Sequence, residues 1–432
     1  MIRLLSFLFA VAALGGIGYY AGRSKTLSMV RNGAVLGSSP GYYGWYVIIF
    51  MFAPVIAASI LLAVLQWIDL IEVPFYFLVA GWIAIPALLV WPAVRTIDPT
   101  LAVRRICEWV VYGVLFTASV ISILTTIGIL LSVLFDALRF FEKVRFWHFL
   151  TGTEWAPGGA FLKGAGRGGE QGTGASFGSV PLFAGTMVIT AIAIAVAGPV
   201  GLMAATYMSE YASKKMRTLA KPLLEILAGI PTVVYGFFAA ITIAPMLVHA
   251  TDATFAFMNN QVLPLVGVTG GPLAVEISYQ NAFAPGIVMG IMIIPLMSSL
   301  CDDVMTAIPD EVRNGAYALG ASRSETIKSV IWPASLPGIV SALLLSISRA
   351  VGETMIVVMA AGLAATWPPD PLEGTSTVTV HIVYNLTGDL AFDNPQTLSA
   401  FALGLQLLVI TLVLNIVSSV VIRRFRHQHT GQ

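Results

Sequence analysis

An arginine and a glutamate four residues apart, Arg349 and Glu353, stand inside the apolar run LLLSISRAVGETMIVVMAAG. A charge near the centre of a bilayer costs at least about 2.5–3.5 kcal/mol, so one kept there marks a pathway or a paired structure. On an unbroken helix the two side chains share a face. In one reading Arg349 draws an anion into a water-filled cavity, and Glu353 orients or neutralises it between events. The planar guanidinium fork suits a tetrahedral oxyanion through paired charge-assisted hydrogen bonds. In the other reading the two form a self-satisfied ion pair that locks this helix to a neighbour.

The second concentration of polar chemistry is PDEVRNGAYALGASRSETIKSVIWP, residues 309–333. Pro309 suits a first helical position, and Asp310 and Glu311 set negative charge at the positive end of a helix dipole. Gly320 stops that helix. Ser322 and Glu325 then have the spacing of a capping box for a second helix, expected to end near Pro333. Helix–glycine–helix punctuation also occurs in DNA readers, but this segment lies between apolar runs and its three basic residues form no patch. Nucleic acid is therefore not an expected partner.

Those two places need a scaffold, and composition says which kind. Of 432 residues, 57% are hydrophobic and only 10% charged, where a soluble domain carries about a quarter. Spans of roughly 20 apolar residues are expected at 2–20, 44–66, 73–93, 106–135, 178–208, 222–248, 282–301, 338–363 and 398–422. The reading is an all-α polytopic membrane protein of about nine transmembrane helices, with lipid as its surroundings. Alternate loops hold sixteen Lys and Arg against six on the opposite side, so the positive-inside rule puts the helix pair and the C-terminus in the cytoplasm and the N-terminus outside. The first span lacks a small-residue cleavage site and reads as a retained anchor. The segment 136–150, DALRFFEKVRFWHFL, is expected to lie along the membrane interface.

Texture divides the chain at about residue 105. Before it come three spans without ionisable residues in their middles; after it come six that hold every polar feature described above. The glycine-rich stretch within 151–177 reads as a flexible external strap. Its Gly164, Gly166 and Gly169 match a dinucleotide fingerprint by spacing alone, since no strand precedes them. Glu225, Gly229, Pro231 and Gly236 lie in the sixth span, the glutamate as a snorkelling or structural group and the others as points of kinking or close contact. No phosphate-binding P-loop, zinc-protease or serine-hydrolase motif occurs. The five histidines and the two cysteines, Cys107 and Cys301, show no metal-ligand spacing. This chain is expected to bind no cofactor, and any ATP is hydrolysed elsewhere.

The helix pair resembles the EAA loop of ABC-importer permeases. Asn314, Gly315 and Ala316 stand at Glu-Ala-Ala, followed by Gly320 and Ala321 and, at the close, Val330, Ile331, Trp332 and Pro333. Asn314 replaces the family's glutamate and Trp332 its leucine; Glu311, a turn earlier, is available in place of the first. FLTGTEW (149–155), EILAGIPTVVYGFFA (225–239), NGAYALGAS (314–322) and SRAVGETMIV (348–357) are similar to the PstC-type permeases of phosphate importers. The resemblance implies a six-helix, type I (MetI-like) permease core at 106–425, with a periplasmic loop at 136–177 and a cytoplasmic coupling loop at 302–335, behind a three-helix extension at 1–105. It implies a half-pore paired with a second, PstA-like permease, a PstB-like ATPase dimer that uses ATP and magnesium, and a periplasmic PstS-like phosphate-binding protein. It places Glu311, Asn314, Gly315, Ala316, Gly320, Ala321 and Pro333 at the ATPase contact and Arg349 and Glu353 on the substrate path. Another oxyanion, a secondary transporter and a membrane scaffold or sensor remain as alternatives.

Overall fold

The computed structural model describes residues 2–68, 74–158, 176–257, 277–387 and 393–429. In chain order the helices are α1 (Ile2–Arg31), α2 (Pro40–Trp67), α3 (Phe75–Arg95), α4 (Val103–Lys143), α5 (Phe146–Thr151), α6 (Val180–Thr206), α7 (Lys214–Ala228), α8 (Thr232–Phe238) and α9 (Ala244–Phe257). They continue as α10 (Phe283–Thr306), α11 (Asp310–Ala318), α12 (Arg323–Thr326), α13 (Trp332–Val351), α14 (Met355–Ala360), α15 (Val378–Thr387) and α16 (Pro395–His429). Wider, π-type turns follow α6 at Tyr207–Tyr211, join α8 to α9 at Ala239–Ile243, and join α12 to α13 at Ile327–Ile331. Among the described residues the sheet is one antiparallel pair, β1 (Trp155–Ala156) with β2 (Ser176–Phe177), in the register Trp155↔Phe177. Most of the expected strap, 159–175 with Gly164, Gly166 and Gly169, lies outside the described residues.

Among the described residues eight helical segments are long and apolar enough to cross a membrane, and each overlaps one of the expected spans. The remaining expected span, 2–20, falls on α1. In lipid every backbone group must bond internally, which dictates this all-helical architecture.

Three expectations need correction. The sixth span is broken: α7 ends at Gly229 and α8 starts after Pro231, so Glu225 belongs to a separate amphipathic helix. The eighth span is also broken, because α13 stops at Val351 and α14 begins at Met355. The 136–150 segment is no separate interfacial helix. It is the end of α4 followed by α5, and its Phe140 and Phe149 are fully buried against Phe177 and Leu182.

The chain forms two compact units, residues 1–128 and 129–432, with the boundary inside α4. In the first, α1 and α2 meet at glycines: a Cβ on Gly22 would lie 2.8 Å from the Tyr43 carbonyl oxygen, and one on Gly44 would strike Tyr19. Lys25 Nζ donates to the carbonyls of Val94 at 2.6 Å and Arg95 at 3.3 Å, closing the end of α3. In the second unit α6 and α10 are pressed together the same way. A Cβ on Gly290 would sit 2.8 Å from the Ala193 carbonyl, and one on Gly201 2.8 Å from Met297. Small residues permit this contact, which in lipid rests on packing alone. Gly236 of α8 faces α14, 2.9 Å from the Met355 carbonyl by the same measure.

A separate aromatic cluster joins α4, α5, the β pair, α15 and α16. There the Trp155 indole N–H donates to His381 Nδ1 at 3.2 Å, which holds that nitrogen as an acceptor, because an indole can only donate. Burial pushes the His381 pKa down to about 4. Asn385, which opens an Asn-Leu-Thr triplet, is buried and donates to Ser399 Oγ at 3.1 Å. Between the ordinary histidine value and about 4 the unfolded chain binds a proton that the folded chain refuses. The stabilisation is present above the ordinary value and is lost as pH falls through that window. Thermal unfolding of the detergent-solubilised protein should therefore show Tm falling between pH 7 and 5, with a shallower slope in His381→Gln. Equal slopes would refute this.

Candidate functional site

The helix pair is built by local rules. α11 ends in a Schellman turn: Gly320, with φ +87°, donates to the Tyr317 carbonyl at 2.9 Å, and Ala321 donates to Ala316 at 3.1 Å. Glycine is needed there because other residues meet Cβ strain at positive φ. Ser322 then caps α12. Its backbone N–H donates to Glu325 Oε2 at 2.7 Å, while its Oγ accepts from the Glu325 N–H at 3.4 Å. Pro309 occupies the cap position, one residue earlier than expected.

Pro333 does not end the second helix. It lies within α13, just after the Ile327–Ile331 turn, and the helical path runs from Arg323 to Val351. A proline removes one helical N–H and crowds the preceding turn, and the wider turn before it relieves both defects. Trp332 points inward, its indole N–H donating to Thr206 Oγ1 at 3.2 Å. Glu311, Asn314, Gly315 and Pro333 are exposed, as is Leu319 at 91%. Ala316, Gly320 and Ala321 are brought together in the turn.

A residue that the sequence reading passed over anchors this pair. Glu210, 5% exposed in the turn that follows α6, accepts from Nε and an Nη of Arg313, both at 3.1 Å. The same guanidinium donates to the carbonyls of Met305 at 2.7 Å and Ile308 at 2.5 Å, at the end of α10. Arg323 donates to the Glu210 carbonyl and stands over the Tyr211 ring at 4.8 Å. Both helices of the pair are thus pinned to the ends of α6 and α10.

A second charge cluster sits one helix away. On α7, Arg217 donates to both oxygens of Asp302, at 3.0 and 2.9 Å, and Lys221 reaches Asp303 at 2.9 Å. The Asp303 hydrogen bond raises the Lys221 pKa and keeps it cationic, against a smaller opposing effect of burial. The only sequence signal for either cluster was charge of opposite sign in 210–221 and 302–313.

Arg349 lines a cavity of about 250 Å³ with Lys221, Glu225, Ser299, Met292 and Pro295. Among the described residues no carboxylate lies within 4.0 Å of its guanidinium. Glu353 is not on its helical face, because the helix has ended; Glu353 Oε1 accepts from the Met355 N–H at 3.1 Å, and its carbonyl accepts from Thr379 Oγ1 at 2.8 Å. The self-satisfied pair is absent, and Arg349 is left to the cavity. Among the described residues no cluster of three metal-ligating side chains occurs.

The family described as the binding-protein-dependent transport system inner membrane component matches residues 197–427, and one described as a phosphate ATP-binding cassette transporter matches residues 8–71. Phosphate transport system permease protein PstC 1 of Mycobacterium tuberculosis is 33% identical over 280 residues, 64% of this chain and 82% of that one. Probable ABC transporter permease protein YqgH of Bacillus subtilis is 30% identical over 235 residues, 54% of this chain and 68% of its own. A chain in the crystal structure of a bacterial ABC transporter involved in the import of the acidic polysaccharide alginate aligns with 73% of this chain and 96% of its own, at 16% identity and a TM-score of 0.44.

Removing one member of a buried ion pair costs about 3–5 kcal/mol. Glu210→Leu should lose stability on that scale, and Glu210→Leu with Arg313→Met should lose less than the two single changes added. Additive losses in a thermal-unfolding cycle would show that the pair does not act as a unit.

Proposed function

This chain belongs to the binding-protein-dependent transport system inner membrane component family, and from that premise we propose that it is the permease that carries inorganic phosphate inward. It is a multi-pass inner-membrane transport subunit of an ABC importer, worked by a separate ATPase. The observation that carries the anion reading is Arg349 at a cavity, with no carboxylate partner among the described residues. Matches to phosphate systems in two separate stretches, one at 8–71 and one over the core, support phosphate as the cargo.

In this reading residues 106–425 are the permease domain and 1–105 an added membrane unit. Positive charge in the loops places the N-terminus in the periplasm and the helix pair and C-terminus in the cytoplasm. A PstS-like binding protein delivers phosphate outside, and a PstA-like permease supplies the other wall of the pore. A PstB-like ATPase dimer, with its ATP and magnesium, engages the exposed face of α11. Glu311, Asn314 and Gly315 are the contacts there, and the inward position of Trp332 leaves that face clear. The guanidinium of Arg349 holds the anion through charge-assisted hydrogen bonds in a site walled by Met292, Pro295 and Leu296. Each break in the sixth and eighth spans adjoins a wall residue, Ala228 or Arg349, and irregular backbone is tolerated at membrane depth where it lines a cavity. Glu353 acts at the second break by binding the first N–H of α14.

Losing hydrogen bonds to a charged group costs about 1.5–3 kcal/mol. Arg349→Ala, at matched membrane abundance, should therefore cut radiolabelled phosphate uptake roughly 10- to 100-fold. Equal uptake by wild type and variant would retire Arg349 as the anion contact, and no uptake by either would point to another oxyanion. Glu353→Gln keeps an acceptor for Met355 and should slow turnover less than Arg349→Ala, with ATPase assembly intact in pull-downs; loss as deep as that of Arg349→Ala would mean the charge itself is required.

A further inference from the structure

We infer that Lys221 is a second cation on the anion path and that its ion pair with Asp303 is a latch opened by the transported anion itself. The inference rests on the reading that the cavity at Arg349 is the path.

Lys221 belongs to two structures at once. It lines the cavity with Arg349, and its Nζ is 2.9 Å from Asp303 and 3.7 Å from Asp302. The two aspartates are not equivalent. Asp302 has a fully buried side chain and is held by Arg217 at 2.9 Å, whereas the Asp303 side chain is 60% exposed and its ion pair among the described residues is with Lys221. A pair that open to water is worth about 0–1 kcal/mol, which a second anion can overcome. The Asp302–Arg217 pair stays closed.

The wall charges set the direction of the switch. Arg349, Lys221 and Glu225 line the cavity. While Asp303 neutralises Lys221, Arg349 and Glu225 balance and the wall carries no net charge. Once Lys221 is free, the wall is left with one excess positive charge. An anion that bridges Arg349 and Lys221 gains a second charge-assisted contact only in the unlatched state, and that difference in affinity is what shifts the equilibrium.

The helix is built to respond. Arg217 lies one turn before Lys221 on α7, so its bond to Asp302 acts as a pivot. Beyond Lys221 the helix ends at the Gly229–Pro231 break, and none of its side chains is buried. Releasing Asp303 leaves the cavity end of α7, with Leu224, Glu225 and Ala228 in the wall, free to swing from α10.

The test uses the whole importer, this chain with its partner permease, ATPase and binding protein, in proteoliposomes. Radiolabelled inorganic phosphate is followed as ATP-driven uptake and, from preloaded vesicles, as efflux without ATP. Asp303→Asn should raise efflux about fivefold or more, since the latch no longer holds, while Lys221→Met should cut uptake about tenfold through loss of a charged contact. Lys221→Arg, which preserves the charge and the pair, should retain about half or more of the uptake with low efflux. A variant damaged only in folding loses both fluxes, so raised efflux is not a structural by-product. Wild-type efflux from Asp303→Asn, or wild-type uptake by Lys221→Met where Arg349→Ala is inactive, overturns the latch alone. Wild-type uptake by Arg349→Ala overturns the path reading beneath it.

Discussion

The close approach of α6 and α10 is the constraint on which the rest of the permease core depends. Lipid offers no hydrophobic reward for joining two apolar helices, so the contact depends on how near the backbones come. Gly201 on one helix and Gly286 and Gly290 on the other leave no room for a Cβ; filling such a site typically costs about 1–3 kcal/mol. The ends of these two helices carry Glu210 and the Asp302–Asp303 pair respectively. Fixing the helices side by side therefore fixes three carboxylates at one end of the core, and the cationic helix α7 and Arg313 of α11 assemble on them.

Those carboxylates do different jobs because water reaches them differently. Glu210 and Asp302 are buried and each meets a guanidinium through two hydrogen bonds or more, a geometry that offsets their desolvation. Asp303 is solvated, and its bond to Lys221 is weak on the same scale. A buried joint and a solvated one thus stand on adjacent residues of α10, and exposure and partner together separate Asp302 from Asp303.

What the sequence made legible was local. Gly320 and the Ser322–Glu325 box act over a few residues, and their geometry is as the spacing required. The eight apolar spans were legible because hydropathy is a sum over a window. The same summing concealed the breaks at Gly229–Pro231 and Gly352–Thr354, because each fell inside a window whose total still read as a span. Proline misled in the opposite direction at Pro333, which lies inside a helix as Pro54, Pro86, Pro199, Pro295 and Pro337 do. The Glu210–Arg313 and Arg217–Asp302 pairs join residues about a hundred positions apart in fold-dependent register, and no periodicity in the chain announces them.

The continuity of the helix through Pro333 decides how motion travels along this segment. Had the second helix ended there, motion at the Ser322 turn would reach Arg349 only through a second joint. Instead the helical path from Arg323 to Arg349 has no coil in it, and at about 1.5 Å per residue it spans roughly 39 Å. Arg323, at its base, is tied to the Glu210 carbonyl and the Tyr211 ring. A rod pinned near one end converts a small tilt at the pin into a larger displacement at the other, and Arg349 is at that other end. The path widens at the Ile327–Ile331 turn, one turn from the pin. Displacement at the Arg323 end is thereby carried toward the cavity at Arg349 along one helical path.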